Sequence, residues 1–197
     1  MVKKILVVFF LLSAFSISSL LGQVVSHEEE DLYNFGMSLY QDGMYRLAAE
    51  QLDKFERNYP ESKKLPEVRF YKAEALFNQG DCAGAFAAYG KTISSYPGTD
   101  FALKSTIRLA DCKYVTKNYT EAIALYKDFI RKYPKSDLVP EAKYYVAESY
   151  FQQEDYAGAI LSYDEVIKNY PGFKHIDYAH YSKGFSYFKR EKYSTAL

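Results

Sequence analysis

The sequence predicts an all-α fold, built as a solenoid of antiparallel helix pairs, and three observations carry that prediction. Four Tyr-Pro pairs, Tyr59-Pro60, Tyr96-Pro97, Tyr133-Pro134 and Tyr170-Pro171, recur at a fixed interval of 37 residues. Two slots of small residues recur at the same interval: Gly36, Ala73, Ala110, Ala147, Gly184, and Ala48, Ala85, Ala122, Ala159, Ala196. No stretch alternates apolar and polar residues with a strand's period over a useful length. A fixed period in the range of roughly 20–50 residues marks one supersecondary unit stacked on copies of itself.

Taken in order, the first 22 residues stand apart. Lys3 and Lys4 precede an apolar run from Ile5 to Leu21, interrupted by Ser13, Ser16, Ser18 and Ser19, and Gly22-Gln23 follows. A positive end, an apolar stretch and a small residue at the exit predict a secretory signal peptide over 1–22. The rival is an uncleaved membrane anchor, for which the run is slightly short. Neither of the two cysteines lies near residue 22, so lipid attachment there is not supported. Residues 23–29 form a short polar lead-in. The acidic run Glu28-Glu29-Glu30-Asp31 starts and solubilises the first helix, where carboxylates suit the positive end of the helix dipole.

From residue 30 to 197 the repeat takes over, as about four full units and part of a fifth. In each unit the first small slot precedes a mid-repeat turn and the second follows it. Small residues on facing helices let the two backbones approach closely. Four residues past the second slot stand Leu52, Tyr89, Tyr126 and Tyr163, then Phe55, Thr92, Phe129 and Val166. Spacings of three and four place this set on one helix face. Gly43 and Gly80 mark the turns, where a left-handed residue ends a helix. Each Tyr-Pro pair closes its unit, because proline cannot continue a helix. Pro66-Glu67 and Pro140-Glu141 read as first turns of the following helices.

The small–aromatic pattern before a Gly-Asp or Glu-Asp turn, then Tyr-x-x-Ala, then a closing proline, resembles the tetratricopeptide repeat. That unit is usually about 34 residues long, and here three further residues lengthen the loop after each proline. Longer units ending in Tyr-Pro resemble the exported bacterial members, the BamD and CpoB type. The stretch from His175 to Gly184 is similar to a BamD segment. The family's lipid-modified cysteine is missing. The resemblance implies a right-handed superhelix that binds other proteins or peptides along its concave face.

Carried onto this sequence, the first helix of each unit supplies that face. One row reads Tyr33, Phe70, Ile107, Tyr144, Tyr181, and a second reads Tyr40, Phe77, Tyr114, Phe151, Phe188. Between them lie Met37, Glu74, Asp111, Glu148 and Phe185. The expectation is an aromatic groove with three central carboxylates, suited to an extended or helical peptide carrying apolar and basic residues. The competing reading has one row packed against neighbouring helices and the acids solvated. The Lys and Asn clamp by which cytosolic relatives grip chaperone C-termini is replaced here by Tyr33 and Met37.

The residues offer little chemistry. Basic and acidic residues balance at 25 each, with no basic stripe for nucleic acid. There is no Gly-rich phosphate loop, nucleophile elbow or Cys-x-x-Cys. His175, Asp177 and His180 lack a spacing that puts three metal ligands on one helical turn, so no metal and no cofactor is expected. Cys82 and Cys112 fall at the end of the solenoid where the intra-repeat turns gather. They read either as a disulfide of an exported protein or as two small buried thiols in slots filled elsewhere by Tyr and by Ala or Ser. Tyr193, Ala196 and Leu197 begin an apolar face that nothing seals, which predicts the N-terminal part of a longer protein or self-association through that end. The sequence thus predicts a non-enzymatic scaffold or adaptor exported to a bacterial periplasm or the periplasmic face of the outer membrane. Assembly of outer-membrane proteins and coordination of envelope division are the two roles that the resemblance implies. The alternative is the recognition arm of a larger envelope enzyme or cell-wall-binding protein.

Overall fold

The computed structural model describes residues 27–194. The leader expected over 1–22, and Ala196 and Leu197 at the expected open end, lie outside them. Among the described residues there are nine helices and no strand. They are α1 (27–41), α2 (Tyr45–Asn58), α3 (Leu65–Asn78), α4 (Cys82–Ser95), α5 (Asp100–Val115), α6 (Tyr119–Lys132), α7 (Val139–Gln152), α8 (Tyr156–Asn169) and α9 (Ile176–Ser194). The chain divides into two compact units, one carrying α1–α3 and the other, from Gly80 onward, α4–α9.

The punctuation works as the sequence predicts. Tyr59, Tyr96, Tyr133 and Tyr170 are the C-caps of α2, α4, α6 and α8, all with φ between −128° and −135°. The proline that follows each one disfavours helical backbone at the residue before it. Pro66 and Pro140 occupy the first turn of α3 and α7, where the missing N–H has no carbonyl to meet. Asp81 and Asp155 cap α4 and α8 by accepting from the Gly84 and Gly158 backbone N–H groups, each at 2.9 Å. Thr99 caps α5 through the Ala102 N–H at 3.2 Å.

Every mid-repeat turn up to the fourth holds one residue at positive φ, and all four occupy one slot: Gly43 at 74°, Gly80 at 86°, Lys117 at 63° and Glu154 at 62°. The fifth occurrence of that slot is Glu191, and there the structure departs from the sequence expectation: α9 runs through it to Ser194 without a turn. The first two turns have glycine, and the third and fourth have Asn118 and Asp155 next in sequence. Glu191 is followed by Lys192, which has no acceptor with which to start a new helix.

In the first unit, α1 lies so close to α2 that a Cβ on Gly36 would come within 2.8 Å of Leu52 Cδ2. Leu39, Ala48 and Ala75 form a core beside it, with Tyr40 and Tyr45 packed against them. Ion pairs join α2 to α3: Arg69 and Lys72 meet Glu56 at 2.9 and 3.2 Å, and Lys72 meets Asp53 at 2.5 Å.

In the second unit, consecutive helices from α4 to α9 pack pairwise, and α7 also touches α9. Its main core contains Ile107, Ala110, Ala122, Tyr126, Phe129, Val139 and Val146, and a further core holds Ala147, Ala159, Tyr163, Val166 and Ala179. Ala110, Ala122, Ala147 and Ala159 are wholly buried, as close helix approach requires. Burying Phe129 or Val166 stabilises the fold by roughly 1.5–3 kcal/mol each.

Candidate partner-binding site

The first row is largely packing. Phe70 and Ile107 are buried, and Tyr33 and Tyr144 are half-buried. Tyr33 on α1 sits edge-on to Phe55 with centroids 6.2 Å apart, under the Lys64 ammonium at 3.9 Å. Its phenol is pushed up to about 12, first by burial and then by the hydrogen bond and charge of Glu67. Tyr144 on α7 meets Tyr163, Phe173 and His175 at 6.2, 5.6 and 5.8 Å. Only Tyr181 of this row is open, with 71% of its surface accessible.

The second row is more uniform. Tyr40, Phe77, Tyr114 and Phe151 are all half-buried near the ends of their helices, and Phe188 is exposed. Each of three rings is braced edge-on by the first residue of the helix after it: Tyr40 by Tyr45 at 5.6 Å, Tyr114 by Tyr119 at 5.7 Å and Phe151 by Tyr156 at 5.8 Å. Each also meets a ring of the following repeat's first helix. Tyr40 meets Tyr71 and Tyr114 meets Tyr145, both at 5.1 Å, and Phe151 meets Phe185 at 5.9 Å. Such edge-to-face pairs contribute about 0.5–1.5 kcal/mol beyond their area. Along α9 the stack continues from Tyr181 through Phe185 to Phe188, at 6.3 and 6.1 Å.

Tyr71 and Tyr145 belong to neither row. They stand two periods apart, and the doublets Phe70-Tyr71 and Tyr144-Tyr145 were the available signal. The matching residue between them is Arg108, which broke the pattern.

The central positions do something the sequence did not suggest. Glu74 is buried and Met37 half-buried. Tyr126 Oη donates to Asp111 Oδ1 at 2.6 Å, and Arg108 donates to Oδ2 at 2.9 Å. Tyr163 Oη likewise donates to Glu148 Oε1. Both oxygens of Asp111 are therefore engaged, and its side chain is only 14% exposed. Burial pushes the Asp111 carboxyl up, against the lowering influence of Arg108 and Tyr126. Asp111 and Glu148 thus bind their own second helices.

The remaining candidates are scattered. His175 lies among the Tyr144, Phe173 and Tyr178 rings, Asp177 sits in the first turn of α9, and His180 is exposed. Cys82 and Cys112 are thiols in the structure, not a disulfide. A cavity of about 350 Å³ between α6, α7 and α8 is lined by Lys127, Ile130, Lys143, Tyr150, Leu161 and Glu165 among others. Its residues share no repeat slot, so no periodic signal marked it. No helix among the described residues is long and apolar enough to cross a membrane.

Comparison with known proteins converges on one family and one fold. The sequence matches the family described as YfiO, outer membrane lipoprotein, over three overlapping stretches, 26–101, 66–144 and 109–195. No curated protein matches it at a significant level. Among solved structures it is similar to MamA from Desulfovibrio magneticus RS-1, with a TM-score of 0.61 at 18% identity, covering 85% of this chain and 92% of that one. A tetratricopeptide repeat protein from Parabacteroides merdae gives 0.66 at 17% identity, over 84% and 61% of the two chains. BtubC from P. vanneervenii gives 0.68 at 14% identity, over 85% and 74%. At these identities the structural likeness establishes the tetratricopeptide fold and nothing finer.

Proposed function

The chain belongs to the YfiO outer membrane lipoprotein family, and from that premise we propose that it is a non-enzymatic protein-binding scaffold of the bacterial cell envelope, working at the periplasmic face of the outer membrane. Its partners are other proteins, engaged as extended or helical segments carrying apolar side chains. The observation that carries this reading is the second aromatic row. In the second unit Tyr114 and Phe151 keep one register, each braced from two sides and half-buried, and in the first unit Tyr40 is braced in the same way. Braced aromatic rings lose little further freedom on binding, and such anchors dominate peptide interfaces. The family supports the envelope location and a part in outer-membrane assembly.

The test is a pulldown from envelope extract with the full chain as bait, alongside a variant with Tyr40, Phe77, Tyr114 and Phe151 changed to Ala. Helicity of the variant is checked by circular dichroism. A partner held by the wild type and lost by a still-helical variant supports the scaffold reading and names its pathway. Equal capture by both would sink the row as the binding surface.

A further inference from the structure

We propose that Cys82 and Cys112 are a dithiol pair that closes to a disulfide, fastening α4 to α5 across the boundary between two repeats. The Cys82 slot holds Tyr45, Tyr119 and Tyr156 in the other described repeats, and the Cys112 slot holds Ser38, Ala75, Ser149 and Ser186. A large ring beside a small residue is thus the rule. In the first unit Tyr45 packs against the cluster that contains Ala75, the counterpart of Cys112. The two slots therefore border one core.

Where the second repeat meets the third, both slots hold a cysteine. With a thiol where the ring would be, the structure leaves a cavity of about 350 Å³, and both Cys82 and Cys112 line it, together with Ala83, Phe86, Lys113 and Thr116. Cys82 begins α4 and is partly accessible, while Cys112 is only 2% exposed on α5. The helices pack directly on one another. The two thiols thus sit on adjoining helices and line one space, where the other repeats place a large ring.

The difference in exposure sets the order of events. With oxidised glutathione as oxidant, the Cys82 sulfur, as thiolate, attacks one glutathione sulfur and expels the other glutathione as thiolate. The Cys112 thiolate then attacks the Cys82 sulfur and expels the second glutathione. The two protein thiols lose two protons and two electrons in all, and one glutathione disulfide becomes two glutathione thiols. The bond would restrict the unfolded chain between residues 82 and 112, so the oxidised protein melts at a higher temperature than the reduced one.

The full chain is incubated with oxidised glutathione, and its thiols are counted after denaturation. The expected result is loss of both thiols in a monomer, a Cys82–Cys112 linked peptide by mass spectrometry, and a higher Tm that reductant reverses. Cys112→Ser should halt at a glutathione adduct on Cys82, and Cys82→Ser should leave Cys112 unmodified in the folded protein. A wild-type protein that stops at the Cys82 adduct, forms covalent dimers, or keeps both thiols while an unfolded control oxidises would overturn the proposal.

Discussion

Tyr126 on α6 reaches back across its helix pair and donates its phenolic hydrogen to Asp111 on α5, fifteen residues earlier. Tyr163 repeats the arrangement on Glu148 one unit later. The tyrosine slot follows the second small slot by four residues, and the acid follows the first by one, so both ends of the contact are fixed by the close helix approach that the small residues allow. Each bond locks the two helices of a repeat at one relative height. Both tyrosines are wholly buried, so the hydroxyl must find a partner inside the fold, and the carboxylate supplies it.

Tyr126→Phe is therefore expected to destabilise the protein by about 1–3 kcal/mol, because it strips Asp111 of an acceptor's partner in a buried place. Chemical denaturation of the wild type, Tyr126→Phe, Asp111→Asn and the double variant reads the coupling as a cycle. An interaction energy of about 1 kcal/mol or more is expected for side chains in direct contact. A cycle that closes additively would show that the bond contributes nothing.

Alkali should attack the same bonds. Burial, reinforced by Asp111 and Glu148 respectively, holds the Tyr126 and Tyr163 phenols well above their ordinary value of 10.0. A group whose folded value is raised contributes stability that is complete below the unfolded value and lost as pH rises above it. Stability should thus be flat up to about pH 10 and then fall, as the unfolded chain's tyrosines ionise and the folded ones cannot. Phenolate absorbance is expected to include a late phase, from Tyr126 and Tyr163, coincident with loss of helicity. In Tyr126→Phe/Tyr163→Phe the late phase should shrink.

The sequence made the fold legible because punctuation and packing share one period. Prolines, small slots and turn positions each fall every 37 residues, and the structure places helix ends and buried alanines there. The rows on the first helices were legible as positions but not as roles. Periodicity shows which residues share a face; it does not show which of two rows a neighbouring helix covers, and Phe70 and Ile107 turned out buried where Tyr40 and Tyr114 did not. The contacts of the carboxylates were not legible for a related reason. An acid among aromatics reads as a ligand site until the hydroxyl of a residue in the next helix is seen against it. The fifth turn failed because a slot is only a place, and Glu191-Lys192 has neither the glycine of the first two turns nor the Asn or Asp that follows the positive-φ residue in the third and fourth.

Ser105 offers an improvement. It is completely buried, and its Oγ is the one buried side-chain polar atom among the described residues without a hydrogen-bond partner. The same slot holds Val68, Ala142 and Ala179, all buried. Ser105→Ala removes the unsatisfied hydroxyl with almost no change of volume and should stabilise the protein by about 1 kcal/mol. An unchanged or lower denaturation midpoint would imply that the hydroxyl does have a partner.

The left-handed turn positions offer a second. Lys117 and Glu154 take the conformation that Gly43 and Gly80 take in the earlier turns. A side chain in that region costs roughly 1–2 kcal/mol, part of which glycine returns through the greater entropy of its unfolded chain. Lys117→Gly and Glu154→Gly are each expected to gain about 0.5–1 kcal/mol, with additive effects because the turns belong to different repeats. Thermal melts of the singles and the double check both the sign and the additivity.

The last prediction separates a structural role for the carboxylates from a recognition role, and the chain itself supplies the control. In the second, third and fourth repeats the two slots read Glu74 with Tyr89, Asp111 with Tyr126 and Glu148 with Tyr163, whereas in the first they read Met37 with Leu52. Acid and phenol occur together, and both are absent together. Replacing a buried polar pair by apolar residues of similar size is often neutral or stabilising, while removing one member leaves the other stranded. Asp111→Met or Tyr126→Leu alone should therefore lose about 2 kcal/mol or more, and the double swap should recover most of it. Asp111→Lys, which places an ammonium against a buried ring, should cost about 3 kcal/mol or more. If the carboxylate serves only its own repeat, the double swap keeps full affinity for whatever protein the wild type captures, measured by titration with that partner. If it recognises the partner, the double swap folds as well as the wild type and binds at least tenfold more weakly, and the acids return to the binding surface.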